Sequence, residues 1–194
     1  QDAVQQVQVS DSADAIADAW SELAADTKLT RLHINDPATA MALTAATYAA
    51  STDLLGKIGD GQYKVALGAV AVADVATLGA DAHVDSLDVT GDSADIGAAF
   101  ASLAAQDKLG SITLNDANGT LALGSAQLLG GSATLGKITN AYQIAASDVA
   151  LADLADILAV TEVTSVGVSD TAANVSGNFN GLVALGGTLA SLHL

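Results

Sequence analysis

Five aspartates crowd one stretch of this chain: Asp81, Asp85, Asp88, Asp92 and Asp95. Carboxylate oxygens are what a hard cation such as calcium selects, and calcium takes about six to eight of them. Asp81, Asp85, Asp88 and Asp92 are therefore the candidate metal ligands. Neither EF-hand spacing nor a G-G-x-G-x-D nonapeptide surrounds them. The competing assignment is that Asp92 caps a helix and the others stand in solvent. His83 sits among these acids, where a lone imidazole reads as a solvated side chain.

Other chemistry-bearing residues are few. "GGSATLGKIT" approaches a phosphate loop through Gly131, Gly136 and Lys137, but Ile138 stands where a hydroxyl must reach magnesium. "GDGQYK" lacks the third glycine of a dinucleotide fingerprint. His33 and His193 are expected in one outward strand column, six units apart. At about 4.8 Å per strand that is roughly 29 Å, too far to share a metal or a proton. Cysteine is absent, which removes disulfides and thiolate chemistry. No Ser/His/Asp arrangement is supported, so no catalytic or cofactor-binding residue is assigned and a non-catalytic protein is expected.

The elements that would position these residues follow a period. "VSDSADAIADAW" begins at Val9, "VTGDSADIGAAF" at Val89 and "VSDTAANVSGNF" at Val168, spacings of 80 and 79 residues. "LTRLHIND" and "LGSITLND" recur in the same way, as do "LLGKIGDGQYKVALG" and "TLGKITNAYQIAAS". Internal repetition is the first thing to settle, because missing it misreads the fold. Super-repeats are expected at about 1–80, 81–160 and, in part, 161–194.

Within each period a pattern V/L-x-x-V/L-x-V/L marks short strands, starting with Val4, Val7 and Val9. Eight such strands are legible, with a short extra strand expected after "NDPATA" and "NDANGT"; the latter could be a hairpin turn. Between strands the period becomes helical. Ile16, Trp20, Leu23 and Ala24 share one face, and Leu151, Leu154, Ile157 and Leu158 another. Asp11 or Ser12 caps the first helix, and Asp14 suits its first turn. Strand–helix–strand units this short favour right-handed parallel crossovers. The expected fold is an α/β solenoid, with a parallel sheet on one side, helices on the other and three units per super-repeat.

Trp20, Phe100 and Phe179 close three equivalent units, and Tyr63 matches Tyr142; Tyr48 alone lacks a counterpart. Ring positions fixed by the period on an apolar helix face are read as packing staples rather than a ligand ladder. The outward columns, Gln8, His33, Ala66, Asp88, Thr113, Ala145, Gly167, His193 and Gln6, Arg31, Lys64, Ser86, Ser111, Gln143, Ser165, Ser191, are mixed. No regular ice- or glycan-binding ladder is expected from them.

Composition narrows the partners. The net charge is −16, and the acids are all Asp except Glu22 and Glu162. Such a chain repels phosphate backbones and anionic membranes, so neither nucleic acid nor membrane insertion is expected. The most apolar run, from Val65, is broken by Asp74 and falls short of a membrane span. No N-terminal signal peptide is visible, and the chain is expected to be a single repeat domain within a longer array.

"VSDTAANVSGNFNGLVAL", "LGSITLND" and "LGKITNAYQIAASDVALAD" resemble repeats of very large secreted bacterial proteins of the adhesin-like, β-strand-repeat kind, rich in Ala, Asp and Thr. The resemblance covers essentially the whole chain. It implies an extracellular or cell-surface location, type 1 secretion and no catalytic residues. The calcium-binding nonapeptides common in type 1 substrates are absent here. The expected function is a structural module: adhesin stalk, spacer or self-assembling scaffold, partnered by itself or neighbouring repeats through apolar solenoid ends. The alternative is a calcium- or glycan-binding module of a secreted adhesin or an accessory domain of a secreted enzyme, with Arg31 and Lys64 on its binding face.

Overall fold

The computed structural model describes residues 5–59 and 61–194; Val4, at the head of the first strand pattern, lies outside them. Short strands alternate with helices, and strand pairs run parallel, giving an α/β fold. Two compact units form: Gln1–Val89 with Lys108–Gly110, and Thr90–Asp107 with Ser111–Leu194.

The first unit opens with β1 (Val7–Asp11), α1 (Ala13–Asp18), α2 (Trp20–Ala25) and β2 (Leu29–Ile34). The one helix expected here is thus two, parted at Ala19. Ser12 is the N-cap: its hydroxyl accepts from the Ala15 N–H, and Asp14 occupies the first turn. Ala13, Ile16 and Trp20 are buried, but Leu23 only partly and Ala24 not at all. Then come β3 (Ala40–Thr44), α3 (Ala45–Ala49), α4 (Thr52–Leu55), β4 (Lys64–Ala71), α5 (Val75–Gly79) and β5 (Val84–Gly91). In the second unit follow α6 (Ser93–Ala104), β6 (Leu109–Leu114), β7 (Thr120–Gly124), α7 (Ser125–Gly130), α8 (Ser132–Leu135) and β8 (Gln143–Val149). It ends with α9 (Leu154–Leu158), β9 (Val163–Ser169), α10 (Ala172–Gly177), α11 (Phe179–Ala184) and β10 (Leu189–His193).

Ten strands therefore stand among the described residues, and β3 and β7 are the expected extra ones. They are parallel to their partners β4 and β8, so "NDANGT" is not a hairpin turn. The physical reason lies in the preceding aspartates. Asp36 accepts the Ala13 N–H at 2.7 Å, and Asp116 accepts the Ser93 N–H at 2.8 Å and its hydroxyl at 2.6 Å. Each "ND" is thus tied to the start of the previous coil's helix. Asn118, at φ 54°, lets the chain step into a new sheet. The same contacts correct Asp92. It occupies the N-cap position of α6, but its side chain makes no capping bond; Asp116 supplies the acceptor instead.

The sheets also correct the expected columns. In the first unit β1 pairs with β2, and a second sheet runs β3-β4-β5-β6, with β5 to Val89 and β6 to Gly110 in this unit. In the second, β7-β8-β9-β10 form one sheet. Gln8 lies beside Arg31, not His33; Gly167 lies beside Ser191, and His193 beside Ser169. His33 stands in the β1-β2 sheet and His193 in the β7-β8-β9-β10 sheet. The expected columns set the last apolar residue of each strand side by side, whereas Val9 pairs with Leu32 rather than Ile34, and Val168 with Leu192 rather than Leu194. The ladder is offset, and β8 spends an extra residue between Ala146 and Val149, where Asp148 takes φ 54°. Leu29, Leu32 and Ile34 on β2, and Val84, Leu87 and Val89 on β5, spaced three and then two residues apart, lie in the core. On α9 only Ile157 is fully buried, and Leu158 stands 38% exposed because the helix is barely one turn long.

Candidate functional site

Tyr48, Tyr63, Asp81 and His83 converge in the first unit. Thr44 caps α3 by accepting from the Thr47 N–H at 3.0 Å, which fixes the turn that carries Tyr48. Tyr63 immediately precedes β4. Asp81 and His83 lie in the turn between α5 and β5, where the Asp81 carboxylate accepts the His83 N–H at 2.8 Å. Asp81 also accepts the Tyr48 hydroxyl at 2.7 Å. The His83 ring stacks on Tyr63, with centroids 3.9 Å apart and planes 5° from parallel, and its Nδ1 lies 3.2 Å from the Tyr63 carbonyl oxygen. Lys108 donates to the Asp81 backbone carbonyl at 2.6 Å and Lys64 to that of Ala82 at 3.0 Å.

The surroundings set the protonation states. Burial, then hydrogen bonds to Asp81 and Tyr63, push the Tyr48 hydroxyl far above its ordinary range. Burial likewise raises Tyr63. Burial opposes ionisation of Asp81, but the His83 N–H, the Tyr48 hydroxyl and the nearby charges of His83 and Lys108 outweigh it and lower its value. The cluster therefore presents protonated phenols beside a carboxylate at neutral pH. A cavity of about 560 Å³ opens over it, lined also by Thr52, Leu55 and Ile58. A second, of about 360 Å³, shares Tyr63 and His83 and reaches Pro37 and Lys64. Hydrogen-bond donors, an acceptor and a stacked ring pair suit recognition of a neutral polar molecule.

The candidate metal ligands do not gather. Asp81 is engaged by Tyr48 and His83, Asp85 and Asp88 are exposed on β5, and Asp92 precedes α6. Among the described residues no three His, Asp or Glu side chains are grouped to hold a metal ion. His83 is half-buried against Tyr63, not the solvated side chain its acidic neighbours suggested. Arg31, with Gln8, Ser10 and His33, lines a separate cavity of about 250 Å³. Gly131 of the phosphate-loop-like phrase is buried beneath the Phe100 ring, and the N–H groups of Gly136, Lys137 and Ile138 donate to the carbonyls of Ser132, Thr134 and Leu135. The second unit has no equal of the cluster: Leu128, Tyr142, Val160 and Glu162 hold the corresponding positions. One signal pointed to the cluster, since Tyr48 was the one aromatic without a periodic counterpart.

No described helix is long and apolar enough to cross a membrane. Comparison of the chain with protein-family models, curated proteins and solved structures finds no match.

Proposed function

We propose that the chain is a non-catalytic structural module, an α/β solenoid whose strand–helix coils stack with a super-repeat of about 80 residues. Its place is in a large extracellular bacterial surface or matrix protein, as stalk, spacer or self-assembling scaffold; the secreted location rests on the resemblance of its repeats. One observation carries this reading: the same coil-to-coil contacts recur at the same spacing. The Leu32 N–H donates to the Lys57 carbonyl, and the Ile112 N–H to that of Lys137, both at 2.8 Å. Leu32 bridges Ile58 in parallel as Ile112 bridges Ile138. Asp36 and Asp116 cap their neighbouring coils alike. In a stacked array each coil is stabilised by its neighbours, so length adds stability. Inserting a second copy of residues 84–162 after residue 162 should give one cooperative unfolding transition at a higher temperature. Two separate transitions, or an unchanged midpoint, would sink the solenoid reading.

The second reading is a ligand-binding module, favoured by the Tyr48–Asp81–His83–Tyr63 cleft. The net charge of −16 disfavours anions, so a neutral glycan is the fitting ligand class. Asp81→Asn and Tyr63→Ala should then abolish retention on a neutral glycan array; an array blank for the parent chain rules this reading out.

A further inference from the structure

Two cavities of the first unit share a wall. One, of about 560 Å³, lies over Tyr48 and Asp81; the other, of about 360 Å³, lies beside Pro37 and Lys64; Gly61, Tyr63 and His83 line both. Each falls within the about 300–1,000 Å³ usual for a small-molecule pocket. The strand order brings them together. Pro37 and Ala38 precede β3, Gln62 and Tyr63 precede β4, and Ala82 and His83 precede β5, three neighbours in one sheet. Ala40 is paired with Lys64, and the Val65 N–H donates to the His83 carbonyl at 2.9 Å, so the three strands start side by side. The second cavity follows this row of strand starts. The first runs from it to Tyr48 of α3 and to Thr52 and Leu55 of α4. The stacked pair Tyr63–His83 stands where the two meet.

The groups around this groove select hydroxyls. The Asp81 carboxylate is an acceptor. Nδ1 of His83 faces the Tyr63 carbonyl, which can only accept, so Nδ1 carries the proton and Nε2 of the neutral ring holds a lone pair. Lys64 spends one of its N–H groups on the Ala82 carbonyl and keeps others to donate. Pro37 and Ala38 add an apolar wall, which suits the C–H face of a sugar ring. An extended peptide would need a free strand edge for its main chain, and β4 is flanked by β3 and β5. The period separates this chemistry from packing. Tyr63 recurs as Tyr142, but Pro37, Asp81 and His83 give way to Ala117, Val160 and Glu162, so the strands repeat and the groove does not.

We propose that the two cavities are adjoining subsites of one groove, which takes a neutral glycan of at least two sugar rings. One ring lies beside Tyr48 and Asp81 and the next against Pro37 and Ala38, with Tyr63 and His83 at the linkage between them. The net charge of −16 keeps anionic sugars out. This assignment rests on the ligand-binding reading, of which it names the ligand's length and the residues that meet each ring.

The test is isothermal titration of the full chain with neutral fragments of cellulose, starch, mannan and galactan, from the single ring to four rings. In a series that binds, the longer fragments should bind at least about tenfold more tightly than the single ring, the gain of a second set of contacts. Ala38→Trp, which fills the second cavity from an exposed turn position, should cancel that gain. His83→Phe, which keeps an aromatic ring against Tyr63 and removes the Nε2 acceptor, should weaken the longer fragments by about tenfold. Asp81→Asn should weaken every length. Melting temperatures within error of the parent verify that the variants fold, and the length series needs no variant. Equal affinity for one ring and for the longer fragments overturns the two-subsite groove while the ligand-binding reading stands. A gain that persists in Ala38→Trp places the second ring elsewhere and also overturns the groove. Failure of every fragment to bind overturns both.

Discussion

Replacing Phe100 with alanine is expected to cost about 3–5 kcal/mol, a large share of the roughly 5–15 kcal/mol that holds a domain together. Phe100 is 1% exposed on α6, a helix of three turns, whose buried face also carries Ile96, Gly97 and Leu103. Its ring lies directly on the backbone of Gly131, which has no side chain to move into the space left behind. The cavity would therefore persist, and cavity and lost transfer energy add. Trp20→Ala should cost a similar amount in the first unit, because the indole is buried and its N–H is satisfied by Ser51. Phe179→Ala is the internal control. The ring holds the same position in the sequence period but is mostly exposed, so the monomer should lose less than about 0.5 kcal/mol. Thermal or urea unfolding of the three variants decides it. Equal losses at all three positions would contradict burial by a following coil as the source of the energy.

That contrast marks what was legible in the sequence. Period and chemical type told which residues form strands and which helix face turns inward, because both follow from local pattern. Ile16, Ile96 and Val175 are all buried as the pattern requires. Whether Phe179 is buried is not a local property. It depends on what packs over the coil, and the pattern of a coil does not contain its neighbour. Register failed for a related reason. The shift between Ala146 and Val149 is a single extra residue whose backbone turns to φ 54°, and an ordinary aspartate there gives no warning.

The aspartates illustrate a different limit. "LHIND" and "ITLND" are visible as repeated phrases, but the sequence assigns the caps to Asp11 or Ser12 and to Asp92, whereas Ser12 caps the first helix and Asp92 makes no capping bond. The target of the cap was not visible, since Asp36 and Asp116 reach helix starts 23 residues back in the chain. The Tyr48–Asp81 bond spans 33 residues. Its one trace in the sequence was negative: an aromatic that did not fit the period. Departures from an internal pattern are where a repetitive chain has room for something besides packing.

The pairing of Trp20 with Ser51 and of Phe100 with Gly131 can be exchanged, and the exchange measures coupling between coils. Ser51 and Gly131 precede α4 and α8 with nearly the same backbone, φ −108° and −103°. At the first, the Ser51 oxygen accepts the indole N–H at 2.8 Å while its own hydroxyl donates to the Thr47 carbonyl at 2.5 Å. At the second, a Cβ on Gly131 would collide with the Phe100 ring and the Gln127 carbonyl. Gly131→Ser alone should therefore cost about 1–3 kcal/mol through overpacking. Phe100→Trp alone should cost about 1–3 kcal/mol, because it buries an indole N–H with no acceptor. Together they rebuild the Trp20–Ser51 arrangement, with the new hydroxyl placed between the indole and the Gln127 carbonyl. The double variant should recover at least about 1 kcal/mol relative to the sum of the singles, the coupling expected of residues in contact. Unfolding free energies of the four proteins complete the cycle. Strict additivity would mean that the two positions, although they touch, do not select each other, and that each pair arose from separate local constraints.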